Sequence, residues 1–138
     1  MKLQTDRVLI RKWKDTDLDA FCKMNADPIV CQHFPRVLSN SESQEQFKAV
    51  KRYLEKNGFG PWACELKADG TVIGMVGFFN NTKMYKLQPS TELIWRLDSR
   101  YWGKGLATEA TKKVIKVGFY NLDLMNMCFY RSSEYQLD

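Results

Sequence analysis

The sequence predicts an α+β protein in which a mixed, mostly antiparallel sheet is flanked by helices, in the element order β-α-α-β-β-β-α-β. Three observations carry this expectation. Apolar residues recur at helical spacing in two segments between Asp15 and Gly58. The period then shortens to that of strands from Gly60 onward, around an Asp69-Gly70 turn signal. An apolar run from Thr91 to Asp98 then enters a glycine-containing turn and a further helical pattern, a strand–turn–helix unit.

Arg7–Trp13 alternates apolar and basic side chains, as a half-buried strand does. Asp15 or Thr16 can cap the helix that follows, with Leu18, Phe21, Cys22 and Met24 near one face and Pro28 just past its end. A loop from Phe34 to Asn40 precedes the second helix. Ser39 with Glu42, or Ser41 with Gln44, fits a capping box there. Phe47, Val50, Tyr53 and Leu54 form its apolar stripe and Gly58 is placed to end it. Two strands flank Asp69-Gly70, and a polar loop with Pro89 leads to the fourth strand, Thr91–Asp98. The third helix buries Ala107, Ala110, Val114, Val117 and Gly118. It turns Glu109, Lys112, Lys113 and Lys116 outward, with Glu109 and Lys113 at favourable i,i+4 spacing. Leu124–Tyr130 reads as a fifth strand. No long linker or repeat interrupts the chain, so one domain over residues 1–138 is expected.

With 44% hydrophobic and 27% charged residues the chain falls in the ordinary globular class. Its 21 basic against 16 acidic side chains favour an anionic ligand. The basic residues are scattered, so no nucleic-acid partner is expected. Cys22, Cys31, Cys64 and Cys128 form no CxxC pair and His33 is the one histidine, so no metal site is expected and the thiols read as structural. The N-terminus has no apolar signal-peptide core and no segment is long and apolar enough to span a bilayer. A cytoplasmic location without a membrane partner follows as the expectation.

The stretch that carries chemistry is SRYWGKGLATEA, Ser99–Ala110. A helix N-terminus presents backbone N–H groups and partial positive charge, and glycines let an anion approach them. A Walker A loop is excluded by the spacing, since GKGLAT lacks the second lysine-bearing half. A dinucleotide fingerprint would need glycine where Thr108 stands, and a parallel βαβ unit upstream. A tight strand-to-helix turn without a ligand is the plain structural alternative. The remaining pattern is R/Q-x-x-G-x-G/A, present as Arg100-Tyr101-Trp102-Gly103-Lys104-Gly105.

At these residues the chain resembles the GNAT N-acetyltransferases, whose corresponding loop grips the pyrophosphate of acetyl-CoA. The likeness extends over roughly residues 3 to 124. It looks like the branch that includes the ribosomal-protein N-terminal acetyltransferases, on the segments TDRVLIRKWKDTDLDAFCKMNADP, GFGPWACELKADGTVIGMVGF and ELIWRLDSRYWGKGLATEA. The resemblance implies that acetyl-CoA, as co-substrate, lies where the fourth and fifth strands splay apart. Pantetheine would pair with the backbone at Arg96, Leu97 and Asp98. The pyrophosphate would take the loop from Arg100 through Trp102, Gly103, Lys104, Gly105, Leu106 and Ala107, with the Thr108 hydroxyl nearby. Lys112, Lys113 or Lys116 could reach the 3′-phosphate, although a solvated helix face explains them equally well. Attack by an amine on the thioester is helped by a general base. The resemblance implies Glu92 for that role, sharing a strand face with Ile94 and Arg96. A rim glutamate that only orders the strand is the alternative. A backbone N–H of the fourth strand would stabilise the oxyanion. His33 and Phe34 lie in the connection that lines the acceptor site in the family.

The family pattern continues after its fifth strand with a helix and two more strands, and the residues after Phe129 show no such motif. A catalytically inactive acyl-CoA-binding module or interaction domain is therefore the alternative to an acetyltransferase acting on a protein N-terminus or a small-molecule amine. A fifth strand without those neighbours would expose an edge, and a homodimer that covers it is the expected outcome. Light scattering at micromolar concentration tests this: a dimeric mass is expected and a monomeric mass contradicts it.

Overall fold

The computed structural model describes residues 3–32, 36–81, 90–120 and 127–129. The strands are β1 (Leu3–Gln4), β2 (Val8–Arg11), β3 (Pro61–Leu66), β4 (Val72–Asn81), β5 (Ser90–Leu97) and β6 (Met127–Phe129). The helices are α1 (Leu18–Ala26), α2 (Asn40–Asn57) and α3 (Leu106–Tyr120). The strands make one sheet in the order β1-β2-β3-β4-β5-β6. Its first five members are antiparallel, and β6 lies parallel to β5. The α+β expectation holds with one addition: the two-residue β1 precedes the first expected strand, so the expected fourth strand is β5.

Local signals explain most boundaries. Asp69 Oδ1 accepts the Thr71 N–H at 3.0 Å and Gly70 adopts φ 76°, which closes the β3–β4 hairpin where the sequence placed it. The capping box forms at Ser39 and Glu42, whereas Ser41 falls inside α2. Gly58 ends α2 in the left-handed conformation, φ 75°. The first helix starts later than its cap candidates suggested. Asp15–Asp17 form a 3-10 turn, and Asp17 Oδ2 accepts the Lys14 N–H at 2.7 Å.

β2 stops at Arg11 because the chain then leaves the sheet to insert Trp13 between the helices. The Trp13 ring meets Phe21 of α1 and Phe47 of α2 edge-on, at 5.1 and 5.8 Å between centroids. Its indole N–H donates to the Pro61 carbonyl at 2.9 Å, tying the cluster to β3. Beside it, Arg11 and Asp17 pair at 2.8 Å, each side chain 6% exposed, and Arg11 Nε reaches Glu65 at 2.9 Å. With the Lys12 carbonyl, these two carboxylates satisfy the buried Arg11 guanidinium, and the Asp17 and Glu65 hydrogen bonds hold its pKa above the ordinary value against the opposing effect of burial.

The helices cover both faces of the sheet. Arg96 stands opposite Met75 and reaches Asn25 of α1, which fixes one face. Cys64 stands opposite Gly74 and is close enough to feel the charge of Glu109 of α3, which fixes the other. Burial, with that nearby carboxylate, pushes the Cys64 thiol up to about 12, so it is an inert core group.

Candidate functional site

Strand β5 delivers the chain to a compact turn, and that turn is built from its own side chains. Asp98 accepts the Arg100 N–H at 3.0 Å and clasps the Arg100 guanidinium with both oxygens, at 3.1 and 2.7 Å. The Arg100 contacts hold the Asp98 carboxyl below its ordinary range, against the opposing effect of burial. Residues Ser99–Tyr101 form a single 3-10 turn. The Trp102 indole N–H then donates to the Leu97 carbonyl at 2.8 Å, closing the turn over the end of β5. Arg100 and Lys104 both approach the Tyr101 ring, at 6.0 and 5.4 Å from its centroid.

Gly103 and Gly105 follow with φ of 76° and 75°. Residues with a Cβ adopt that left-handed region at a cost of about 1–2 kcal/mol. A Cβ built on Gly103 would meet no protein atom within 4 Å, so this glycine faces open space. The Gly105 carbonyl accepts the Glu109 N–H at 3.0 Å and begins α3. Leu106 and Ala107 are buried and anchor the first turn in the core. A helix N-terminus in general presents backbone N–H groups and partial positive charge. Left-handed glycine backbone, a helix N-terminus and two nearby cations make a cradle suited to a pyrophosphate.

The wall of the site is the face of β5 that carries Glu92, Ile94 and Arg96. Glu92 is 1% exposed and stands opposite Phe79 of β4, at the level where β6 pairs. β6 pairs with β5 only over Thr91–Leu93. Past Leu93 no strand lies beside β5 on that side among the described residues. Arg96 Nη1 donates to Asn25 Oδ1 at 2.5 Å. Asn25 is wholly buried and its amide donates to Ser43 Oγ and Gln46 Oε1 of α2, at 3.2 and 2.9 Å. Two residues further on, Asp27 Oδ2 accepts the Ser99 hydroxyl at 3.1 Å. The end of α1 is thereby fastened to both the wall and the loop.

Arg96, Leu97, Asp98, Arg100, Trp102 and Gly103–Thr108 thus lie in one continuous stretch, with Glu92 upstream on the same strand. Arg100 is committed to Asp98, a partner the sequence pattern did not reveal. His33 and Phe34 lie outside the described residues. Around them Ile29 and Val37 are exposed, at 55% and 39%. Glu109 does not take the outward role with Lys113. Its carboxylate accepts from the Thr5 hydroxyl, from the Arg7 N–H at 3.0 Å and from Arg7 Nε at 2.7 Å. Burial pushes the Glu109 carboxyl up, but the Thr5 and Arg7 hydrogen bonds outweigh it and leave the pKa lowered. Asn25, Asp27 and Arg7 are the site-building residues that sequence reasoning passed over. Asn25 alone carried a signal, a polar residue one helical turn after Phe21 on the buried stripe. Among the described residues no cluster of three His, Cys, Asp or Glu is placed to hold a metal, and no helix is long and apolar enough to cross a membrane.

Comparison with known proteins bears on the family and the fold. Residues 7–134 match the model of the acetyltransferase (GNAT) domain. The uncharacterised N-acetyltransferase YoaA of Bacillus subtilis is 30% identical over 129 residues, which span 88% of this chain and 68% of that protein. An acetyltransferase from Agrobacterium tumefaciens superposes with a TM-score of 0.82 at 24% identity, over 99% of this chain and 77% of its own. The ribosomal-protein-S5-alanine acetyltransferase of Vibrio fischeri superposes with a TM-score of 0.72 at 17% identity, over 94% and 73%. At these identities the two structures establish the fold.

Replacing Asn25 with alanine tests the link between helices and wall. It removes a partner from Arg96, Gln46 and the buried Ser43, and a buried polar group left unsatisfied costs about 1–3 kcal/mol. Urea denaturation is expected to show a lowered midpoint with an unchanged slope. An unchanged midpoint would show that the network contributes nothing.

Proposed function

The chain belongs to the GNAT acetyltransferase family, and from that premise we propose that it moves the acetyl group of acetyl-CoA to a primary amine. The observation that carries the reading is the pair of left-handed glycines between β5 and α3, with open space where the Gly103 Cβ would be. That cradle fits a phosphate chain: it has no side chain in the way and a helix N-terminus behind it. Arg96–Asp98 would hold the pantetheine arm, and Arg100 to Thr108 the pyrophosphate. Acetyl-CoA supplies an activated acyl group as a thioester, and the residues of the chain supply binding, alignment and proton transfer.

Glu92 is the proposed general base. An ammonium has no lone pair for attack, so a carboxylate must take its proton before or as the new C–N bond forms. Glu92 is supported by its buried place on β5, opposite Cys128 of β6, on the face that Arg96 also lines. Its burial screens it from bulk water and concentrates its effect on a group brought to it. The proposed acceptor is a protein N-terminus or a small amine. The fold shared with the Vibrio fischeri enzyme supports the former, and the exposed Ile29 and Val37 give the α1–α2 connection apolar surface for an acceptor chain to touch.

Two substitutions test this reading. Gly103→Glu places a carboxylate where phosphate belongs, and calorimetry is expected to show acetyl-CoA affinity falling at least about a hundredfold. Gly103→Ala separates out the backbone strain of about 1–2 kcal/mol. Retained affinity in Gly103→Glu would remove the loop from the binding site. Glu92→Gln is expected to lower kcat by about 10²–10⁴ with little change in the KM for acetyl-CoA. A fall in Tm without a fall in kcat would make Glu92 a structural residue only.

A further inference from the structure

The glycines that open the loop also leave it under-determined. The Lys104–Gly105 peptide directly precedes a residue of left-handed backbone, and glycine tolerates both signs of φ. Rotation of that peptide plane carries its N–H from one side of the loop to the other. A contact from outside the loop can favour one orientation.

We propose that Arg7 is the positioning residue that makes this choice. It approaches from the opposite end of the chain, at the start of β2. Its Nη1 donates to the Lys104 carbonyl at 2.8 Å and its Nε donates to Glu109 Oε1 at 2.7 Å. The two acceptors lie on either side of Gly105, one before it and one in the first turn of α3, so the planar guanidinium bridges the glycine. Its second terminal nitrogen sits 3.4 Å from where a Gly105 Cβ would be. Glu109 is held in turn by the Arg7 N–H and by the Thr5 hydroxyl, which itself accepts the Val8 N–H at 3.1 Å.

The direction of the contact matters. No cis peptide occurs among the described residues, and in a trans peptide the carbonyl and the N–H point to opposite sides. Arg7 holds the Lys104 oxygen on one side, so the Gly105 N–H is directed to the other. The guanidinium therefore braces the loop from the side of Glu109 and fixes the orientation of the Lys104–Gly105 peptide. Glu109 offsets the charge of Arg7, so the contribution is geometric. A lysine, with one point of attachment on a flexible stem, cannot bridge both acceptors.

The inference rests on the acetyl-CoA reading above, and its test separates the two. Nuclear magnetic resonance titrations of the whole chain with acetyl-CoA and with acetyl-pantetheine, which has no pyrophosphate, would be run on wild type, Arg7→Met and Arg7→Lys. Both variants are expected to lose at least tenfold in acetyl-CoA affinity and less than twofold in acetyl-pantetheine affinity. Their ligand-free Gly105 amide signal is expected to shift or broaden. If Arg7→Met fails to fold, Arg7→Lys carries the same comparison. Unchanged acetyl-CoA affinity, or equal losses for both ligands, would overturn the positioning role while leaving the acetyl-CoA reading intact. A wild-type chain that binds neither ligand would overturn both.

Discussion

The parallel pairing of β5 with β6 is the constraint on which the rest depends. Antiparallel neighbours can be joined by a tight turn, as β3 and β4 are, but parallel neighbours require the chain to return to its starting end. Here the return is made by the 3-10 turn, the glycine loop and α3. A helix N-terminus must then sit at the C-terminal end of β5. The position of the glycine loop is thus a product of topology. The Asp98–Arg100 clasp, the Trp102–Leu97 bond and the two left-handed glycines are the local means by which so abrupt a change of direction is held.

The opposite side of the site depends on a buried polar seam. Asn25 joins α1 to α2 through Ser43 and Gln46, and to β5 through Arg96, while Asp27 joins α1 to Ser99. A hydrogen bond to a charged group contributes about 1.5–3 kcal/mol, and an apolar seam of the same area would stabilise at least as much. What a polar seam adds is direction, since only one arrangement of the helices satisfies all its donors and acceptors. The end of α1 and the start of α2, which flank the connection where the acceptor is proposed to dock, are in this way fixed relative to the strand and loop proposed to hold acetyl-CoA. Arg7 and Glu109 do the same from the other face, so the loop is braced by both ends of the domain's first strand–helix segment.

The features legible in the sequence are those with local causes. The Ser39–Glu42 box, the Gly58 stop and the Asp69-Gly70 turn each depend on residues a few positions apart. The strand–turn–helix unit from Thr91 onward is legible for the same reason. What escaped was long-range. Arg7 and Glu109 meet across 102 positions, and nothing near Glu109 distinguishes it from a solvated residue whose partner is Lys113. β1 is too short to carry a pattern. The charge of Arg100 was visible in the sequence, whereas its clasp by Asp98 was not. Asn25 sat inside an amphipathic helix, where a polar residue on the buried face signals a network only once its partners are known.

The central claim is that the backbone around Gly103–Ala107 binds the pyrophosphate of acetyl-CoA. A crystal structure of the chain grown with acetyl-CoA measures this most directly. The account predicts phosphate oxygens within hydrogen-bond distance of the N–H groups at the start of α3, with the pantetheine arm running along β5 past Arg96–Asp98. Acetyl-CoA bound elsewhere on the molecule, or a loop left bare at saturating ligand, would contradict it.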